Sequence, residues 1–543
     1  MAAQISRRGF VSAAAGVTGI AVMVPDALAF KLQGRLTPTY SGGTFPDGIA
    51  SGDPTPTGIT LWTRLFGVTG NGSVLLEIAT DSGFKKIVKS ALVPADPAKQ
   101  FVVKTKITGL KAHTQYYYRF ATKTKNSTVG RFRTALPADS TQTVNFAYFT
   151  CQDYTAGYFN AHALMAKDDV DFVVNLGDFI YETAFFDATK GMVRPGGFFG
   201  RTALSGPVTY EEYCNRYQGY RKDTDLQAMA ASHAMISTWD DHEVMNNYAG
   251  ADITNVGGGG DSKRTNLPYY TGWSDARKVA AYQAWFDNMP TFPQSSGGYK
   301  LYHKAKFGKN LELFVLDERQ YRDAQPCGFN PSDKEINPAT CTNLNSNRAF
   351  LGAEQMSFLT GGLASSTSKW KVLANEVVAM PLKQANGNIE SADDWTAYPV
   401  ERQQLLGAIK NGGIKNVVFT TGDYHTFFAG QVKDSTDTAV ATEFAAGSVS
   451  QMSNAEIAAL LGTPGFGTPS AITLPAGSRE ADYLSRNPHL KEFDQLHHGY
   501  VLASASATQF TATFKKLQTI KAKSTALASS RKYTVAANST TIS

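Results

Sequence analysis

Residues 173–182 read "VVNLGDFIYE": an apolar run that stops at Gly177-Asp178, with Tyr181 three residues further on. A short continuous apolar run bounded by a turn residue fits a strand buried on both faces. A lone aspartate after such a strand is commonly a turn former or the N-cap of a following helix. The function of the chain turns on whether Asp178 only closes a strand or holds something.

The same event recurs at "VNFAYFTCQ" (144–152), "HAMISTWDDHE" (233–243), "LELFVLDERQ" (311–320), "KWKVLANE" (369–376) and "NVVFTTGDYH" (416–425). Each is an apolar run that ends in residues with chemical potential. Helical patterns at 210–231 and 272–288 separate some of them. Continuous apolar strands with intervening helices predict an α/β (mixed α+β) domain whose sheet is covered on both faces. In open sheets of this kind ligands sit beyond the carboxyl ends of the strands, so these endings are expected to share one crevice.

Carboxylates that converge in a crevice repel one another and hold raised pKa values unless a cation neutralises them. A centre with more than one metal ion resolves this. Asp178 with Tyr181 offers a carboxylate and a phenolate, and a phenolate needs a strong Lewis acid because free tyrosine titrates near 10. Ferric iron meets that need better than zinc or magnesium. Cys151 can add a thiolate and His425 an imidazole. Asp241, Asp423 and Asn375 are oxygen donors suited to a harder second ion such as calcium, magnesium or manganese. Asp178 can bridge the two.

The ordered set "GDFIY" (177–181), "WDDHEVMNN" (239–247), "LDERQYR" (316–322) and "GDYH" (422–425) resembles the PhoD-like alkaline phosphatases. These are members of the calcineurin-like metallophosphoesterases, related to purple acid phosphatases. "FPDGIASGDPTPTGITLWTRL" (45–65) is similar to that family's N-terminal β domain. The resemblance spans nearly the whole chain after residue 30. It implies a four-layer sandwich of two mixed sheets flanked by helices, preceded by a small N-terminal β-sandwich. It also implies Fe3+ with one or two Ca2+, and hydrolysis of phosphate mono- or diesters by a metal-bound hydroxide. By the same resemblance Cys151, Asp178, Tyr181 and His425 hold iron, with Asp178 bridging. Asp241, Asp423 and Asn375 (or Glu376) hold the second ion. Asp423 stands where the wider superfamily has a histidine, which favours calcium over zinc. His242 and Arg319 then face the phosphate, with Asp317, Asn246 and Asn247 in support. The substrate is expected to be a small phosphate ester or a cell-envelope phosphodiester. Phospholipase D action on lipid diesters is the alternative enzyme, and an adhesion protein with a degenerate site is the alternative outside enzymes.

The remaining sequence is consistent with this reading. Residues 30–140 carry short alternating strands such as "SVLLEIAT" (73–80) and "TQYYYRFATKT" (114–124), as expected of an immunoglobulin- or fibronectin-like sandwich. Residues 134–142 read as a linker, 143–517 as the catalytic domain, and the Ser/Thr/Ala/Lys-rich 518–543 as a tail ill-ordered at its end. Residues 1–29, with Arg7-Arg8, a modest apolar run and Ala27-Leu28-Ala29, read as a twin-arginine signal. Export by that machinery to the periplasm or exterior is expected, with no stable membrane anchor. Cys327 and Cys341 bracket a polar loop and fit a local disulfide, whereas Cys214 fits a buried thiol. The formal net charge of +6 on 543 residues shows no dense basic stripe and does not imply nucleic acid. "GGGG" at 257–260 lacks the lysine and context of a phosphate-cradling loop.

Overall fold

The computed structural model describes residues 36–183, 192–194, 206–250, 274–327, 335–456 and 478–543. The expected signal segment and the 252–265 loop lie outside these residues. The chain opens with β1 (Ile49–Thr55), β2 (Gly58–Arg64), β3 (Gly72–Ala79), β4 (Ile87–Ala95), β5 (Val102–Ile107), β6 (Gln115–Ala121) and β7 (Gly130–Arg133). It continues with β8 (Val144–Phe149), β9 (Phe172–Leu176), β10 (Ala234–Thr238), β11 (His303–Phe307), β12 (Leu311–Val315), β13 (Trp370–Asn375) and β14 (Val417–Thr421). It closes with β15 (Phe427–Lys433), β16 (Ala439–Ala445), β17 (Leu490–Asp494), β18 (Gly499–Ala505), β19 (Gln509–Leu517) and β20 (Leu527–Ala536). The helices among the described residues are α1 (Asn160–Met165), α2 (Tyr210–Arg221), α3 (Thr224–Ser232), α4 (Asp275–Asn288), α5 (Ala353–Ser365), α6 (Pro399–Asn411) and α7 (Ser478–Arg486).

The strands form a nine-stranded sheet ordered β20-β19-β18-β8-β9-β10-β1-β2-β5 and a seven-stranded sheet ordered β11-β12-β13-β14-β16-β15-β17. The two pack face to face through Phe146, Val174, Ile236, Leu313, Val372, Phe444 and Phe510. On the outer face of the first sheet, Tyr217, Met229 and Trp285 of α2, α3 and α4 close a second core. Leu359 of α5 and Leu405 of α6 do the same for the second sheet. Helix, sheet, sheet and helix make four layers. β9, β10, β12 and β14 are buried at every residue, because both of their faces are covered. That is why they read as unbroken apolar runs.

The N-terminal region differs from a free-standing sandwich. Its four-stranded sheet, β4-β3-β6-β7, alternates buried and exposed residues as expected, with Tyr116, Tyr118 and Phe120 facing inward. The opposing strands β1, β2 and β5 are part of the nine-stranded sheet, joined to it by parallel pairing of β1 with β10 at Ser51–Ala234 and Gly52–Met235. Gly52 makes this approach feasible: a Cβ there would lie 2.7 Å from the Met235 carbonyl oxygen of β10 and 2.4 Å from that of Pro290.

The 518–543 segment is also corrected. It contains β20, paired antiparallel with β19 from Gln509–Ala536 to Leu517–Leu527, and it buries Tyr533, Val535 and Ile542. An edge strand with one solvated face can be rich in Ser, Lys and Arg, which is what made it look like a tail. No helix among the described residues is long and apolar enough to cross a membrane. Deleting 518–543 is therefore expected to uncover Phe514 and lower the melting temperature by more than about 5 °C, or to leave the chain insoluble. A thermal melt matching that of the full chain would show the segment to be dispensable.

Candidate metal centre

β8, β9 and β10 run parallel to one another, as do β12, β13 and β14. Their carboxyl ends therefore lie on one edge of the double sheet. Cys151 follows β8, Asp178 follows β9, the run Asp240-Asp241-His242 follows β10, and Asp423 and His425 follow β14. The loops approach closely because two glycines precede two of the aspartates. A Cβ on Gly177 would lie 2.4 Å from Asp240 Cβ, and one on Gly422 would lie 2.6 Å from Thr150 Oγ1.

The turns are held in a costly backbone conformation. Cys151, Asp178, Asp423 and His425 have φ of 56°, 55°, 57° and 51°, a left-handed region that costs non-glycine residues about 1 kcal/mol or more each. Glu243 offsets part of that cost. Its carboxylate accepts the backbone N–H groups of Asp178 at 3.0 Å, Phe179 at 2.6 Å and Asp240 at 2.8 Å.

Among the described residues three sets of potential donor atoms result, each mutually within 4.8 Å: Cys151, Asp178 and His425; Asp178, Asp241 and His242; and Asp240, Asp241 and Asp423. The Tyr181 hydroxyl lies 2.7 Å from Asp178 Oδ2 and 3.4 Å from His425 Nε2, so it belongs with the first set. Asp178 and Asp241 are each shared between sets. One end thus offers a thiol, phenol, imidazole and carboxylate, and the other offers carboxylates alone.

This donor set fits cations. Asp240 Oδ2 is buried with no hydrogen-bond partner among the described residues. Burial pushes the Asp178 carboxyl well above the usual carboxylate range, and Asp241, Glu243 and Asp423 push it further against the opposing pull of His242. Burial, then Asp178 and Asp423, push the Cys151 thiol up, and burial, then Asp178 and Cys151, do the same to the Tyr181 phenol. A positive ion beside these groups opposes every one of these shifts.

The centre opens to solvent on one side. Asp178, Asp241 and Cys151 are at most 1% exposed, whereas the His242 and Asp423 side chains are 15% and 21% exposed. His242 is fixed there by Glu182, whose Oε2 lies 2.6 Å from His242 Nδ1 and whose Oε1 accepts the Asn246 backbone N–H at 3.0 Å. Its ring lies over Tyr181, with centroids 4.0 Å apart. Burial disfavours the imidazolium, but Glu182, Asp241 and Asp178 outweigh it and hold the His242 pKa well above its usual value.

Other expected residues are placed differently. Arg319 is fully buried, with Nε 2.5 Å from Asp240 Oδ1 and Nη1 2.6 Å from Asp393 Oδ2; Nη2 stands 3.8 Å from Asp423. Two arms of its fork are held by carboxylates, while Nη2 makes no hydrogen bond among the described residues and lies 4.0 Å from Asp241 Oδ2 on the side of the acidic set. Asp317 accepts Trp239 Nε1 at 2.9 Å and the Gln320 backbone N–H at 2.9 Å, and shapes its own turn. Asn375 gives its amide N–H groups to the Val377 carbonyl and Thr421, and accepts Trp395 Nε1 at 3.0 Å, so its side chain is committed within the second sheet. Glu376 accepts the Glu318 backbone N–H at 2.7 Å and is likewise committed. The Asn246 backbone N–H donates to Glu182 Oε1, and the Asn247 N–H donates to Asp241 Oδ2 at 2.5 Å. Cys327 and Cys341 form a disulfide, and Cys214 is a buried free thiol.

Sequence reading overlooked Asp240, Glu182, Glu243 and Asp393. Asp240 and Glu243 stood in the quoted "WDDHEVMNN", Glu182 directly follows Tyr181, and Asp393 lies in 384–396, which reads as a flexible loop on or near the site face. Replacing Glu243 by alanine is expected to leave three buried N–H groups without an acceptor, costing about 3 kcal/mol or more. Denaturant unfolding measures this, and a loss below about 1 kcal/mol would show that the clasp is not needed.

The model of the PhoD-like phosphatase family matches residues 146–514, and that of the PhoD-like phosphatase N-terminal domain matches residues 32–136. The chain is 31% identical over 535 residues to alkaline phosphatase D of Bacillus subtilis (strain 168), covering 94% of this chain and 84% of that protein. It superposes on the solved structure of PhoD with a TM-score of 0.78 at 29% identity, covering 93% of each chain. A purple acid phosphatase, PPD1, from yellow lupin (Lupinus luteus) seeds matches with a TM-score of 0.50 at 12% identity, over 91% of this chain and 74% of that one. That last likeness concerns the fold alone. Matched by the two family models over residues 32–136 and 146–514, the chain belongs to the PhoD-like phosphatase family.

Proposed function

We propose that this chain is an exported, metal-dependent phosphoesterase of the alkaline phosphatase D type, acting on phosphate mono- or diesters. The observation that carries the reading is the run of donor sets linked through Asp178 and Asp241, open to solvent beside His242. Similarity to alkaline phosphatase D supports it independently. Cys151, Asp178, Tyr181 and His425 would hold Fe3+, since a thiolate and a phenolate together suit a strong Lewis acid. Asp241, Asp423 and Asp240 would hold Ca2+, a hard ion that takes oxygen donors. Asp240 replaces Asn375 in this role because its Oδ2 is buried without a donor. When bound, the ions supply Lewis acidity, acidifying water and offsetting phosphate charge.

The chain's own residues do the rest. Glu182 holds His242 Nδ1, which leaves Nε2 to donate a proton to the leaving alkoxide oxygen. Arg319 keeps Asp240 oriented and tempers the repulsion among Asp240, Asp241 and Asp423. Glu243 and Gly177 fix the spacing between the Asp178 and Asp240 loops. The twin-arginine signal supports export, and the substrate would be a small phosphate ester or a cell-envelope phosphodiester.

Asp178→Asn is expected to lose metal and p-nitrophenyl phosphate hydrolysis together, the latter by at least about a hundredfold. A purified Asp178→Asn protein with full activity would refute the site. His242→Ala is expected to slow an alkyl phosphate about a hundredfold and p-nitrophenyl phosphate far less, because a good leaving group needs no proton. Equal losses on both esters would remove His242 from the proton-donor role.

A further inference from the structure

At the opposite edge of the second sheet, where β12, β13 and β14 begin, lies an open groove of about 610 Å³. Lys309, Lys369, Lys371 and Lys415 line it, and no carboxylate is among its lining residues. The centre lies at the other ends of these five- and six-residue strands, about 15 Å or more away at 3.3 Å per residue. Burial, then repulsion from Lys369, holds the Lys371 pKa below its ordinary value. Glu312, the carboxylate that acts on Lys371, is itself paired with Lys304 at 3.3 Å and accepts a hydrogen bond from Ser366. At the groove's wall Ser368 is 2% exposed, and its Oγ has no hydrogen-bond partner among the described residues.

A bland account of the lysines is that they neutralise helix ends, since α5 and α6 both finish at this groove. Two helix C-termini carry about one negative charge between them, so four ammonium groups leave a surplus of about three. One small anion would use little of the groove's volume or charge.

We propose that this groove is a second, non-catalytic binding site for a chain of linked phosphate groups, held by Lys309, Lys369, Lys371 and Lys415. Choosing phosphate over other anions rests on the phosphoesterase reading; the excess of positive charge does not. Ammonium groups bind phosphate oxygens as point charges, and several along one groove favour a ligand with several phosphates. Free oligophosphate and a phosphodiester polymer share this chemistry.

The test titrates tripolyphosphate, a glycerol phosphate oligomer and sodium sulfate into the wild-type protein and the Lys369→Ala/Lys415→Ala variant. Esterase activity is assayed alongside with p-nitrophenyl phosphate. The double variant is expected to lose about tenfold in affinity for at least one phosphate chain, and the wild-type affinity should fall with added salt. Activity should stay within about twofold of wild type, since the metal centre is distant. Retention by tripolyphosphate alone identifies free oligophosphate as the ligand; retention by the oligomer identifies a polymer. Hydrogen exchange should slow at 366–371 and 412–416 on adding the bound probe, which places the site without any substitution. Unchanged affinity in the variant, sulfate binding as tightly as the phosphate chains, or the same loss from Lys85→Ala/Lys86→Ala would overturn the proposal. Because binding and esterase activity are read separately, an inactive protein that still shows lysine-dependent binding refutes the phosphoesterase reading and leaves the groove standing.

Discussion

One carboxylate holds the centre together. Glu243 accepts the backbone N–H groups of Asp178, Phe179 and Asp240, and so ties the ends of two neighbouring parallel strands to one point. That tie helps sustain the left-handed conformation at Asp178, together with the Gln152 N–H that donates to the Asp178 carbonyl at 3.1 Å. The device recurs across the fold. Glu318 clasps the Glu376 and Val377 N–H groups, and Glu443 clasps those of Ala379 and Met380. Loops that leave buried strands have N–H groups with no sheet partner, and an ionised acceptor satisfies two or three of them at once.

The electrostatic logic follows from that scaffold. The backbone forces Asp178, Asp240, Asp241 and Asp423 together, and Arg319 is the only guanidinium recorded in ion pairs with three of them among the described residues. Arg319 is also shared with Asp393, so it leaves a surplus of negative charge. Cations would supply what one arginine cannot. Placing the arginine beneath the carboxylates leaves the upper face, with His242 and Asp423, open for a substrate.

Much of this was legible in the sequence, for identifiable reasons. A strand buried on both faces reads as an apolar run, so the ends of β8, β9, β10, β12, β13 and β14 were visible, and with them Cys151, Asp178, Asp241, Asp423 and His425. Which donors face the centre was less legible. Asp240 and Asp241 are adjacent, and only the turn after β10 brings both into the acidic set. Asn375 ends its strand as expected, yet Trp395 and Thr421 take up its amide. The fork of Arg319 is set by Asp393, 74 residues away, a pairing that no local pattern announces. β20 was hidden because an edge strand with a solvated face has the composition of a tail.

In the proposed function Cys151, Asp178, Tyr181 and His425 would hold iron beside a calcium site. Elemental analysis combined with the visible absorption spectrum of protein purified without chelator tests it directly. The expected result is about one iron per chain together with calcium, and a charge-transfer band from phenolate or thiolate to ferric ion. Protein that is active yet colourless and free of iron would contradict it.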